Sequence, residues 1–179
     1  MVYFFIAEGF EEIEALCPLD ILRRAGIEAK TVGVGAYEIC GSHGITVKCD
    51  MRDDEFCDDT AEMIFLPGGM PGTLGLRASE VVKKAVLAAN ERGAYVAAIC
   101  AAPMVLGELG LLDGKEAICY PGFEDKLIGA KISKSRLVAD GNILTAAGMG
   151  AALDFGLLIV KLFKGEQASD ELRRTIIAD

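Results

Sequence analysis

The chain has 179 residues, a formal net charge of −9, and 52% hydrophobic residues with few aromatics. This length and apolar content fit one domain over residues 1–179 that buries a sizeable core. A net negative charge without a clustered basic stripe argues against a nucleic-acid-binding surface.

The N-terminal stretch MVYFFIAEGF is apolar but too short to span a bilayer, and no basic segment precedes it. We therefore expect a cytoplasmic protein without membrane insertion. Six cysteines are present, none in a C-x-x-C pair, and the chain has a single histidine. This pattern predicts reduced thiols, no metal site and no cofactor.

The first half of the chain alternates between strand and helix patterns. A continuous apolar run predicts a strand buried on both faces, and the following helix contains Pro18, which we expect to bend it. In chain order the predicted elements are a strand over 2–7, a helix over 11–25, a strand over 28–34, a hairpin over 37–50, a strand over 63–66 and a helix over 79–92.

The second half continues the alternation, although the segment 116–135 gives a weak signal. Its predicted elements are a strand over 94–99, a helix over 101–109, a short strand over 117–120, short strands over 137–140 and 142–145, a long apolar helix over 151–163 and a final helix over 170–177. Strands that alternate with helices predict an α/β fold with a parallel sheet covered on both faces.

Cys100 stands at the junction of a predicted strand and a predicted helix, within the stretch YVAAICAAPM. A sharp strand–nucleophile–helix turn needs small neighbours, and here they are alanines; Pro103 suits the first helical turn. The free N–H groups of a helix N-terminus favour a thiolate and predict a lowered pKa for Cys100. The alternative is a small cysteine buried in the core.

Glu14 heads an apolar stripe of the first predicted helix, whereas Glu11 and Glu12 point elsewhere and are expected to be solvated. A carboxyl group buried beside the sheet edge has a raised pKa and can donate a proton to a thiolate. The alternative is that Glu14 only favours the helix dipole.

The stretch Pro67-Gly68-Gly69 follows a predicted buried strand. Its glycines allow close backbone approach and can present N–H groups to an oxyanion. By itself the motif is a weak signal, and an ordinary strand-ending turn is the favoured explanation.

Taken together, these stretches resemble the ThiJ/PfpI superfamily. The resemblance is carried in order by EEIE at 11–14 with PLD at 18–20 and RRAG at 23–26, by LPGG at 66–69, by AAICAAP at 97–103, and by ILTAAGMG at 143–150. The chain looks most like the branch that contains redox-regulated chaperones and protein deglycases.

The resemblance implies a flavodoxin-like three-layer sandwich with a mostly parallel sheet and a nucleophile-elbow cysteine, in a protein that forms a homodimer. It implies an oxidisable Cys100 that accepts a hydrogen bond from a protonated Glu14, with the N–H groups of Gly69 and Ala101 as oxyanion donors. The remaining residues that it implies are Gly68, Tyr120, Pro121 and Gly148 in the pocket and Arg24 and His43 at the dimer interface.

This sequence departs from the family pattern at two positions. Peptidase-like members have a histidine immediately after the nucleophile, where this chain has Ala101, and redox-chaperone members often have one before the proline, where this chain has Tyr120. The single histidine, His43, lies in the predicted hairpin, so no local Cys-His pair forms and peptidase activity is disfavoured.

Two hypotheses share the predicted site. In the first, the protein is a glyoxalase- or deglycase-type enzyme that acts on α-oxoaldehydes such as methylglyoxal or on glycated proteins, with Cys100 as nucleophile and Glu14 as acid and base. In the second, it is a non-catalytic oxidative-stress sensor or redox-regulated chaperone in which Cys100 oxidises to a sulfinate. A third alternative, a module that binds flavin or an acidic metabolite, is disfavoured by the acidic stretch after the first strand.

Dimerisation also has support from the residues. The first helix carries Leu16, Cys17 and Leu19 in addition to the stripe that faces the sheet. This is more apolar surface than one packed face requires, and a second copy of the chain would cover it.

Overall fold

A computed structural model describes residues 1–57 and 60–178. Among these residues, no helix is both long and apolar enough to cross a membrane. In chain order the elements are β1 (Val2–Ile6), α1 (Glu12–Arg24), β2 (Ala29–Gly33), β3 (Glu38–Cys40), β4 (Thr46–Lys48), β5 (Met51–Arg52), β6 (Met63–Leu66), α2 (Gly72–Ala78), α3 (Glu80–Glu91), β7 (Tyr95–Ile99), α4 (Pro103–Glu108), β8 (Glu116–Ala117), β9 (Lys131–Ile132), β10 (Leu137–Asp140), β11 (Ile143–Ala146), α5 (Ala152–Lys164) and α6 (Glu166–Thr175).

The central sheet has seven strands in the order β10-β11-β7-β6-β1-β2-β5. All neighbours pair in parallel except β10 and β11, which form an antiparallel hairpin at one edge. The predicted α/β fold with a mostly parallel sheet is therefore confirmed. Strands β3 and β4 form the predicted hairpin as a separate two-stranded sheet.

The sheet is covered on both faces, which explains why its strands are continuous apolar runs. Along β1, Val2 and Phe4 belong to one core and Tyr3 and Phe5 to the other, because successive side chains point to opposite faces. On the side of α1 and α5, Phe4 stacks on Phe65 with ring centroids 4.4 Å apart. On the side of α2, α3 and α4, the core includes Leu76, Val86 and Leu106.

Local sequence signals correctly place most helix ends. Ser79 caps α3, its side chain accepting a hydrogen bond from the Val82 N–H.

Helix α1 continues through Pro18 as one element. Close packing of α5 on α1 depends on Gly156, since a Cβ there would lie 3.0 Å from the Ile21 Cβ and 3.1 Å from the Pro18 Cα.

Some elements differ from the sequence prediction. The final helix is Glu166–Thr175 and not 170–177, and the short strand expected over 117–120 is the two-residue β8, paired with β9. Helix α2 was not predicted, because two glycines in seven residues give it low intrinsic propensity. Tertiary packing supplies the missing stability: these glycines let α2 approach Phe10 and Ala7 closely.

Candidate functional site

Cys100 lies at the carboxyl edge of the sheet, in the sharp turn between β7 and α4. Its backbone φ is 64°, a left-handed conformation that costs a non-glycine residue about 1–3 kcal/mol and is typical of functional sites. Two backbone hydrogen bonds hold it there: the Cys100 N–H donates to the Ala146 carbonyl at 2.9 Å, and the Cys100 carbonyl accepts from the Tyr120 N–H at 2.8 Å. The neighbours Ala101 and Ala102 are buried.

Glu14 reaches this turn from the first turns of α1 and is only 1% exposed. Its Oε2 accepts a hydrogen bond from the Gly68 N–H at 3.1 Å, and the Met149 N–H donates to the same carboxyl group. The carboxyl group is also a hydrogen-bond partner of the Cys100 thiol. Glu14 and Cys100 therefore form one acid–base pair, in which the carboxyl group is buried and the thiol is partly exposed.

Gly68 makes this approach possible. A Cβ at position 68 would collide with Glu14 Oε2 and would lie 2.6 Å from the Cys100 Cβ. Only glycine at position 68 leaves room for the Glu14 carboxyl group and the Cys100 side chain to lie together at the end of β6.

The N–H groups of Gly69 and Ala101 both donate hydrogen bonds to the Cys100 sulfur. Gly69 has a φ of 92°, the left-handed region that glycine adopts without strain, and its backbone packs against Phe10 and Glu11. These two amides place positive ends of peptide dipoles beside the sulfur, where they stabilise negative charge.

The pKa of both members of the pair is raised. Burial raises the pKa of Glu14 from 4.5 to about 7, with a smaller contribution from the charge of Glu11, against the hydrogen bonds from Cys100 and the amides of Gly68 and Met149. Burial raises the pKa of Cys100 to about 12, and the charge and hydrogen bond of Glu14 add to this effect. Between these two values the pair holds one proton and one negative charge.

The sequence predicts a lowered pKa for Cys100, and the structure shows why the net shift is upward. The Ala101 and Gly69 amides do lower the pKa of the thiol, but burial and the Glu14 carboxylate outweigh them. The contribution of Glu14 exists only while its carboxyl group is ionised. Transfer of the shared proton from sulfur to Glu14 removes that repulsion and leaves the thiolate facing two amide donors.

Tyr120, Pro121 and Gly148 lie beside the pair. Gly148 lies next to both the Glu14 carboxyl group and the Tyr120 ring, since a Cβ at Gly148 would lie 3.3 Å from the ring and 3.8 Å from Glu14 Oε1. The Tyr120 side chain is half-exposed, and with Pro121 and the segment 147–151 it lines a cavity of about 320 Å³.

Two residues of this region were not predicted as site residues. Met149 donates its backbone N–H to Glu14, and Thr145, which is buried, accepts a hydrogen bond from the Ile118 N–H at 3.0 Å on its Oγ1, which holds the chain that leads to Tyr120. A backbone donor and a single threonine leave no pattern in a sequence, so neither could be found from it.

The expectation that Glu12 is solvated is wrong, because the hairpin folds over the start of α1 and buries it to 5% exposure. Its carboxylate accepts hydrogen bonds from the His43 N–H at 2.8 Å and lies 3.0 Å from His43 Nδ1. Burial by itself would raise the pKa of Glu12, but the hydrogen bonds from the His43 side chain and from backbone N–H groups, including those of His43 and Ile45, together outweigh it and lower the pKa to about 2. The hydrogen bonds of Glu12 therefore hold the β3–β4 turn against the start of α1.

His43 belongs to this hairpin contact and not to the surroundings of Cys100. Its ring Nδ1 lies within hydrogen-bond distance of Ser42 and Glu12, and the Glu12 carboxylate raises the pKa of the histidine. Potential ligand atoms of Glu11, Glu12 and His43 lie within 4.8 Å of one another. The Glu12 oxygens, however, already accept hydrogen bonds from the turn, and Glu11 caps α1 by accepting from the Glu14 N–H.

The outer face of α1 is only partly apolar. Arg24, expected at a dimer interface, forms an ion pair with Asp20 at 2.6 Å. Ile13 is 48% exposed and Leu16 and Cys17 are half-buried, but Leu19 lies in the core.

The sequence and the fold of this chain are similar to those of known proteins. The DJ-1/PfpI family model matches residues 1–162. Protein DJ-1 homolog B of Arabidopsis thaliana is 34% identical over 96% of this chain, which spans only 40% of that relative's length. A protein of Pyrococcus abyssi named as a deglycase is 31% identical, with 88% of this chain and 96% of that protein covered. The structure of oxidized Toxoplasma gondii DJ-1 superposes with a TM-score of 0.94 at 30% identity, over 98% of this chain and 97% of that chain.

Proposed function

Because the chain belongs to the DJ-1/PfpI family, we propose that it is a cofactor-independent enzyme of the glyoxalase or deglycase type. Its substrates are α-oxoaldehydes such as methylglyoxal, or the early adducts that these form on proteins. The observation that supports this function best is the pair of a buried Glu14 and a partly exposed Cys100, with two backbone amides directed at the sulfur. The relative from Pyrococcus abyssi named as a deglycase is consistent with it.

The first chemical step uses the proton that the pair shares. With the proton on Glu14, the Cys100 thiolate attacks the aldehyde carbon and a sulfur–carbon bond forms. The carbonyl oxygen takes the proton from Glu14 and becomes the hydroxyl group of a hemithioacetal. The Gly69 and Ala101 amides, which lie at the sulfur, stabilise the negative charge as it moves to that oxygen.

Glu14 then transfers a proton between the two carbons. As a carboxylate it removes the proton from the former aldehyde carbon and returns it to the neighbouring carbon. The hydroxyl proton of the hemithioacetal passes to the oxygen of that neighbouring carbon, which completes the conversion of the hemithioacetal into a thioester. Water hydrolyses the thioester and releases the hydroxy acid and the free thiol, so the net change is addition of one water. A pKa of about 7 makes Glu14 both a useful acid and a useful base near neutral pH.

The test is methylglyoxal consumption with detection of lactate, on the wild type and on Cys100→Ser and Glu14→Gln. We expect both variants to lose at least about a hundredfold in kcat/KM, the usual range for an acid–base or nucleophilic group. Cys57→Ser, which removes an exposed thiol, is the matched control and should keep full activity. Wild-type turnover no faster than that of a free thiol contradicts the proposal.

A second candidate function, an oxidative-stress sensor or redox-regulated chaperone, uses the same residues. The protonated Glu14 and the amides of Gly69 and Ala101 can hold a sulfinate as well as an oxyanion. Two molecules of hydrogen peroxide would convert the thiolate to a sulfinate and release two molecules of water. The match to an oxidized relative from Toxoplasma gondii makes this candidate worth testing. Intact mass and peptide mapping after mild peroxide should place two oxygen atoms on Cys100 first; earlier oxidation of Cys57 would contradict it.

A further inference from the structure

We propose that the cavity lined by Tyr120, Pro121 and the segment 147–151 is the subsite for the carbon substituent of the carbonyl substrate. We infer that Tyr120 and Met149 make the site prefer α-oxoaldehydes with an aromatic or branched apolar substituent over methylglyoxal. The inference rests on the proposed function, because it takes Cys100 as the group that attacks the carbonyl carbon.

The cavity adjoins the reactive pair through backbone contacts. The Tyr120 N–H donates to the Cys100 carbonyl at 2.8 Å, and the Met149 N–H donates to the Glu14 carboxyl group. Between these two attachment points lies Gly148, and the space that a side chain at this position would fill borders both Glu14 and the Tyr120 ring. A substrate whose carbonyl carbon lies at the sulfur can therefore extend its other end past Gly148 into the cavity.

The size and lining of the cavity determine what it can bind. Its volume of about 320 Å³ lies at the lower end of small-molecule pockets and far exceeds the space that a methyl group fills. Tyr120 and Met149 expose 52% and 51% of their surface, so two large apolar side chains face solvent beside the pair. An apolar substituent placed between them would remove this surface from water, which favours binding.

The one charged side chain of the cavity is already held in an ion pair. Arg136 is the one charged residue among its lining residues, and its guanidinium donates to Asp154 at 2.9 Å, a carboxylate that also accepts a hydrogen bond from Arg173 at 2.8 Å. An acidic group would have to compete with that carboxylate for the arginine. The chemistry of the lining thus favours an uncharged hydrocarbon group.

The first experiment compares kcat/KM for phenylglyoxal and methylglyoxal in the wild type, Met149→Ala and Gly148→Ala. We expect the wild type to prefer phenylglyoxal about tenfold or more, the usual size of discrimination by an apolar pocket. Met149→Ala should lose most of that preference. Gly148→Ala adds a methyl group where the substrate passes, and should reduce turnover of phenylglyoxal more than that of methylglyoxal. Ile132→Ala, an equally exposed apolar side chain on β9, is the control and should keep the wild-type ratio.

A second measurement does not depend on turnover. The rates at which N-phenylmaleimide and N-methylmaleimide label Cys100 are followed by peptide mass and divided by their rates with glutathione. The corrected ratio should favour the phenyl reagent in the wild type and fall about tenfold in Met149→Ala. If this labelling preference is present without turnover, the subsite stands and the proposed function fails.

Two outcomes overturn the subsite. In the first, methylglyoxal turnover depends on Cys100 and Glu14, but the wild type and Met149→Ala have the same ratio of phenylglyoxal to methylglyoxal kcat/KM and the same ratio of labelling rates. The other is a changed sedimentation coefficient of Met149→Ala with unchanged ratios, which would assign this face to contact between two copies of the chain.

Discussion

Replacement of Glu14 by glutamine tests the protonation of the pair through protein stability. Burial raises the pKa of Glu14 from 4.5 to about 7, so the folded protein binds this proton more tightly than the unfolded chain. The stabilisation is fully present below pH 4.5, and it is lost as the pH rises to about 7. A shift of this size corresponds to about 3 kcal/mol in the free energy of unfolding. Glutamine has no proton to lose, so Glu14→Gln lacks this dependence.

The assay is urea unfolding at several pH values from 4.5 to 8, on the wild type and Glu14→Gln. We expect the free energy of unfolding of the wild type to fall by about 3 kcal/mol relative to the variant across this range. Glu28→Gln, at an exposed position, should follow the wild type. A difference between wild type and Glu14→Gln that stays constant with pH would refute the reasoning.

The other predictions concern the backbone, the hairpin and the oligomer. Gly68→Ala forces a Cβ against Glu14 and Cys100, and we expect a loss of about a hundredfold in methylglyoxal turnover with an unchanged circular dichroism spectrum; activity near wild type would contradict the packing argument. Glu12→Gln removes a buried carboxylate whose pKa is lowered to about 2, so it should destabilise the protein by about 3 kcal/mol at pH 7 and by much less near pH 2, in urea unfolding. The wild type should sediment as a dimer at micromolar concentration, and Ile13→Asp on the exposed face of α1 should sediment as a monomer; a monomeric wild type would rule out this interface.

Local patterns in the sequence were sufficient for most of the fold. The continuous apolar runs of β1 and β6 identify strands covered on both faces, because only in such strands do apolar residues not alternate with polar ones. The position of Cys100 between strand and helix also follows from local pattern, since β7 ends at Ile99 and α4 begins at Pro103. Helix α2 could not be found this way, because it is stabilised by packing on Phe10 and Ala7.

Only part of the candidate site could be predicted from the sequence. Helical spacing correctly separated Glu14 from its acidic neighbours as the carboxyl group on the apolar face, but it left Glu12 as a solvated residue. Whether Glu12 is buried depends on His43, 31 residues further along the chain, and no local pattern reports that contact.

The amino-acid sequence by itself determined where most strands of the central sheet lie, that a cysteine follows the central one, and that glycine follows β6 where the backbone must approach closely. Only the tertiary structure decided the protonation of that cysteine, because the burial of Glu14 and the direction of the amides at Gly69 and Ala101 arise when the start of α1 meets the ends of β6 and β7. It also decided that Tyr120 and Met149 flank one cavity. Spacing along a chain reports which face of an element a side chain occupies, but the electrostatic surroundings of a group depend on neighbours that only folding brings together.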